Sequence, residues 1–248
     1  EFFDKTYNYD LTFSASLSDP DAPIGEPLPA GGGELLRAHI RPIFDAEAVS
    51  IAKGQVGKAV VIGGSIAEFV AVAKILAPVS DGLELNLSCP HARGYGMAMG
   101  QDPELVWEIV SAVKGAVDIP VIASINCTSS HEWTFFARKI EEAGADAIEL
   151  NIFELPSTLE KSLEEIDHDY LEIINDVKNT IKIPLAIKIS YYFSNLGRAV
   201  RVLSKTGVSG IVMFNRFFSP DIDLDKMEIV STNVFSTPQE LPTSLRWI

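Results

Sequence analysis

The sequence predicts an α/β fold, a TIM-type (β/α) barrel that is incomplete, with parallel strands alternating with helices. Three observations predict it. Short apolar runs recur from about residue 58 onward, separated by amphipathic segments of helix length. The runs are apolar almost throughout, as strands of a parallel sheet covered on both faces are. Where they do carry polar residues, these fall on one alternating face with the last of them toward the C-terminal end of the run, where barrel enzymes keep their functional groups.

Residues 1–57 form an irregular N-terminal region. "SDPDAPIGEPLPAGGG" (Ser18 to Gly33) is dense in residues that interrupt helices and strands, and "LTFSAS" is the one strand expected there. Residues 58–248 form the barrel domain. Its strands are "AVVIGG" (59–64), "LELNL" (83–87), "PVIASI" (120–125), "AIELNI" (147–152), "PLAIKI" (184–189) and "GIVMF" (210–214). Between them, Asp102-Pro103-Glu104 supplies an N-cap, a first-turn proline and a first-turn carboxylate. Leu105, Val106, Ile109, Val110 and Val113 then mark one helical face. Ser129 to Glu132 has capping-box spacing before a second helix, and Gly144 stands where a left-handed C-terminal residue is wanted. Ser194 and Gly207 bracket a third. His131 and His168 are expected at helix caps.

Six runs are too few to close a barrel of eight strands. The sheet is therefore expected to be open or patched, and the chain to self-associate through its edges as a homo-oligomer. "GLELNLSCP" and "AIELNIFELP" share a Glu-Leu-Asn core, so the domain contains an internal repeat, 59–117 and 120–183.

The net charge of −14 argues against a nucleic-acid groove or an anionic membrane surface as the main partner. Two cysteines, Cys89 and Cys127, are too few for a disulfide framework. With no apolar stretch of membrane-span length and no signal-peptide layout at the first residues, a cytoplasmic location is expected. The chain begins with Glu1, which suggests a processed chain or a fragment. No metal site is expected, because neither cysteine has ligand spacing and the four histidines are scattered.

The polar strand residues carry the functional reading. Glu84/Asn86, Glu149/Asn151 and Lys188 share the minority face, which suits either a polar site at a barrel mouth or an interior ion-pair network of structural value. Asn86, Asn126, Asn151 and Asn215 each fall at or just after a strand end. Side-chain amides donate and accept, so converging asparagines suit a planar ring with mixed amide edges. Cys89 follows a strand end in a loop with Gly94 and Gly96, where a thiol can serve as an acid or base. Cys127 reads as structural.

The segment "ELNLSCPHARGYGMAMGQDPELVWEIVSAVKGAVDIPVI" (84–122) resembles the active-site segment of the class 1 dihydroorotate dehydrogenases and the related flavin domain of dihydropyrimidine dehydrogenases. "AIKIS" and "GIVMFNR" resemble the next two strand ends of that family. The resemblance implies an FMN-containing (β/α)8 barrel that oxidises dihydroorotate to orotate, in pyrimidine biosynthesis, by hydride transfer to flavin. Alternatives are reduction of uracil or thymine, suggested by His91 after Ser-Cys-Pro, and a catalytically silent barrel that acts by binding a partner. By position, Cys89 would be the loop base. Asn86, Ser88, Asn151 and Asn215 would hold the pyrimidine, and Lys188, Asn126 and Ser190 would hold the cofactor. The family's last two strands, whose glycine-rich ends bind the FMN phosphate, would follow Ile248, so weak FMN binding is expected.

Overall fold

The computed structural model of the chain describes residues 11–12, 56–88, 95–127, 130–152, 162–215, 220–231 and 241–247. Seven parallel strands lie side by side in chain order: β1 (Leu11–Thr12), β2 (Val56–Val61), β3 (Ser80–Asn86), β4 (Val121–Ile125), β5 (Ala147–Asn151), β6 (Leu185–Ile189) and β7 (Gly210–Met213). Each pairs in parallel with its predecessor and none is skipped. Sequential parallel order with helical crossovers makes a curled sheet, and the domain is an incomplete TIM barrel. All six apolar runs are strands of it. "LTFSAS" contributes β1, which pairs through Leu11 with Ala59 and Thr12 with Val60. The rest of residues 1–55 lies outside the described residues.

Helices α1 (Ile66–Leu76), α2 (Met97–Gly100), α3 (Pro103–Lys114), α4 (Ser130–Glu142), α5 (Leu163–Thr180) and α6 (Leu196–Ser204) fill the crossovers. Their starts follow local chemistry. The Asp102 side chain accepts the Glu104 and Leu105 N–H groups ahead of Pro103, as its sequence suggests. Ser162 and Glu165 form a reciprocal capping box at α5, a helix the sequence reading did not single out. The cap of α6 is Asn195 and not Ser194, because its side-chain oxygen accepts the Arg198 N–H. His168 is not a cap residue: it lies inside α5, an exposed position where an imidazole costs little. Gly144 and Gly207 both adopt positive φ just beyond their helices, which a side chain would strain. Past β7, an antiparallel hairpin of β8 (Pro220–Asp223) and β9 (Glu228–Ser231) precedes a short helix, α7 (Leu241–Trp247). The sequence reading named neither.

The alternation along each strand separates core from site. Leu83, Leu85, Val121, Ala123, Ile125, Ile148, Leu150, Leu185 and Ile187 pack outward with Val106, Ile109, Val110 and Val113 of α3 and with Trp133, Ile140 and Ile174 of the neighbouring helices. Each such buried aliphatic contributes roughly 1.5–3 kcal/mol, which pins the register. The residues between them, Glu84, Ser124, Glu149 and Lys188, are then forced onto the concave face.

Candidate functional site

Apart from Ser80, every buried polar or charged residue among those described lies at or near the C-terminal ends of β3 to β6. They form two layers. The deeper one is ionic. Lys188 Nζ lies 2.9 Å from Glu84 and 2.9 Å from Glu149, while Lys58, entering from β2, bonds Glu84 and lies 3.0 Å from Glu149. Ser124 Oγ donates to Glu149 at 2.9 Å. Two ammonium groups and two carboxylates balance, which is what permits them to be buried. Burial on its own would raise the Glu149 carboxyl, but the charges of Lys188 and Lys58 and their hydrogen bonds outweigh it and hold the group well below the ordinary carboxylate range.

The outer layer is neutral. Asn215 Nδ2 donates to Asn151 Oδ1 at 2.5 Å, and Asn151 Nδ2 donates to Ser88 Oγ at 2.9 Å. Ser88 in turn donates to Asn86 Oδ1 through both its hydroxyl and its N–H, each at 3.2 Å. The Asn215 N–H pairs with the Ile189 carbonyl at 2.8 Å, so the chain of amides is tied to the end of β6. Side chains from β5, from β3 and just beyond it, and from two residues past β7 thus converge in a row of donors and acceptors held in fixed orientation.

Asn86, Ser88, Asn151 and Asn215 are therefore brought together as one ladder. Lys188 lies in the ionic layer beneath it. Asn126 follows β4 and is half-buried, and Ser190 is buried, its Oγ accepting the Tyr192 N–H at 3.3 Å. Cys89 and His91 lie outside the described residues. Cys127 is half-buried, and burial first, then the Glu132 carboxylate, push its thiol up to about 12. It is protonated at neutral pH and unsuited to act as a base. Lys58 and Ser124 escaped the sequence reading. The signal was present for Lys58, a lysine inside the apolar run "VGKAVV" much as Lys188 is inside "LAIKI". No group of metal-ligating side chains occurs, and no helix is long and apolar enough to cross a membrane, among the described residues.

The family described as dihydrouridine synthase (Dus) matches residues 48–217. The catalytic subunit of dihydroorotate dehydrogenase B (NAD(+)) from Pyrococcus horikoshii is 48% identical over 88 residues, 36% of this chain and 29% of that protein. Its counterpart from Methanothermobacter thermautotrophicus is 46% identical over 122 residues, 48% of this chain and 37% of that protein. The chain thus matches about a third of the length of these relatives. Among solved structures, the carboxyl transferase domain of Rhizobium etli pyruvate carboxylase shares the fold with a TM-score of 0.50 at 11% identity, over 70% of this chain and 31% of that one. With the family match extending over most of the chain, from 48 to 217, the protein belongs to the dihydrouridine synthase (Dus) family and is dihydroorotate dehydrogenase-like.

Proposed function

We propose that this chain is the barrel of a flavin-dependent oxidoreductase that oxidises dihydroorotate to orotate, with FMN as its cofactor. The observation that carries the reading is the amide ladder from Asn86 through Ser88 and Asn151 to Asn215, above a charge-balanced floor. A pyrimidine ring presents alternating carbonyl and N–H groups along its edge, and rigid amides recognise such an edge by matching donor to acceptor. The names of the matched family and of the relatives both designate a dihydropyrimidine, so the ring is common to them. The charge of −14 favours a free pyrimidine over a uridine held in RNA.

The neutral amides and hydroxyls at the strand ends also fit the amide edge of a flavin, and Lys188, Asn126 and Ser190 are the residues that would hold it. FMN, when bound, accepts the hydride and its two electrons. The protein supplies orientation and proton transfer: Asn86, Ser88, Asn151 and Asn215 fix the pyrimidine edge, and Cys89 takes the proton from the neighbouring ring carbon. Lys188 contributes less field than a lone lysine would, because Glu84 and Glu149 offset its charge. As the relatives are catalytic subunits, an assembly with further chains goes with this reading.

Anaerobic addition of dihydroorotate to the purified chain loaded with FMN tests the proposal. Bleaching of the flavin absorbance is the expected result. A chain that neither binds FMN nor bleaches would be a silent barrel, and the proposal would fall.

A further inference from the structure

Beside the amide ladder stands an aromatic cluster that hydride transfer does not call for. Tyr191 and Tyr192 directly follow Ser190 at the mouth end of β6. Their rings stack at 4.6 Å with 28° between planes, and Tyr191 meets Phe214 edge to face at 5.8 Å. Phe214 is the residue before Asn215. The Asn215 N–H donates to the Ile189 carbonyl at 2.8 Å, which fixes the ladder to the end of β6 from which the tyrosines continue, and the Tyr192 N–H donates to Ser190 Oγ at 3.3 Å within that turn. Large aromatic side chains normally gain by burial, yet Tyr191 remains 42% exposed and Tyr192 44% exposed. The fold holds two stacked rings open to solvent next to a row of amides.

We infer that the Tyr191–Tyr192 pair is the stacking face for the ring whose edge the ladder holds, and that it selects the planar, oxidised pyrimidine over its dihydro form. The inference rests on the proposed function for the identity of the ring. Its physical basis is separate. Edge recognition by amides cannot distinguish orotate from dihydroorotate well, because the carbonyl and N–H groups are the same in both. A π-face can. The oxidised ring is flat and conjugated throughout, whereas two tetrahedral carbons pucker the dihydro ring and keep it from lying flat on a phenol. The pair would therefore bind product more tightly than substrate in the direction of oxidation.

Calorimetric titration of the full chain with orotate and dihydroorotate, and with uracil and dihydrouracil, tests this. In Y191A/Y192A the affinity for the planar member of each pair is expected to fall by about tenfold or more, and for the dihydro member by clearly less. Y191F/Y192F, which keeps both rings, should retain the parental preference. Equal losses for planar and dihydro rings would mark a merely structural role, and unchanged affinities would exclude a contact; either overturns the inference while leaving the proposed function standing. A parallel FMN titration covers the other planar ring: loss confined to FMN would assign the pair to the cofactor and overturn the pyrimidine assignment. Failure of the parent chain to bind any of the four pyrimidines would overturn the proposed function and this inference with it.

Discussion

Glu149 illustrates how a single residue can serve the site through stability. Its carboxyl is held low by Lys188 and Lys58, so the folded state keeps it ionised further into acid than the unfolded chain does. A depressed folded value contributes stability that is fully present above the ordinary value of 4.5 and is lost progressively as the pH falls below it. Glu149→Gln at pH 7 leaves the two lysines one carboxylate short and is expected to cost roughly 3–5 kcal/mol. Thermal melts of parent and variant should converge as the pH is lowered from 5 toward 3, and a constant gap would show that the charge of Glu149 is not what matters. The two cysteines should behave differently. With its thiol raised from 9.0 to about 12, Cys127 holds roughly a thousandfold less thiolate than an ordinary cysteine and should resist alkylation near neutral pH. Cys89→Ser should slow reduction of bound flavin by dihydroorotate by about 10²–10⁴-fold with flavin content unchanged. Equal reduction rates in the two proteins would remove Cys89 from the role of base.

The elements are shaped by close approach as much as by propensity. Helix α2 ends on Gly100, where an added Cβ would lie 2.0 Å from the Leu87 carbonyl oxygen, well inside contact distance. The short helix can therefore rest on the end of β3 only because this residue has no side chain. Gly100→Ala should displace α2 from β3 and lower stability by roughly 1–3 kcal/mol, typical of overpacking. A melt within error of the parent would show that α2 yields without cost. The same segment shows what can be read locally. "GQDPELV" announces Asp102 and Pro103 as cap and first turn, since capping involves neighbours in sequence. The contact of Gly100 with Leu87 does not involve neighbours, and the glycine reads simply as part of a loop.

At the scale of the whole molecule, the sheet runs from β1 to β7 and these two are its edges among the described residues. An unclosed parallel sheet offers unpaired backbone groups to another chain. The β8–β9 hairpin adds apolar surface, because Ile222 and Ile229 face each other across it and both are exposed, as are Leu224 and Met227. Self-association is the expected outcome. Light scattering in line with size-exclusion chromatography should report a mass above 27.0 kDa that falls toward it in Ile222→Thr/Ile229→Thr. A parent chain monomeric at every concentration would contradict this.

The amino-acid sequence by itself determined the strands of the parallel sheet, the start of α3 and the face on which the site lies. Each of these follows from local patterns: period-two alternation in "LELN" and "IELN", apolar spacing in α3, and capping residues one turn from their partners. It also marked Asn86, Asn151, Asn215 and Lys188 as unusual, because a polar residue inside an apolar run stands out without any structure. Only the tertiary structure decided which of them meet. Glu84, Glu149, Lys58 and Lys188 come from four different strands, and their pairing depends on the curl of the sheet and on register across the four crossovers from β2 to β6. The charge balance that moves Lys188 from a lone cation to a member of a neutral layer depends on contacts between residues as far apart in sequence as Lys188 and Glu84. The stacked tyrosines were equally invisible as a site, since "SYYF" reads as any aromatic strand end until β7 places Phe214 and Asn215 beside it.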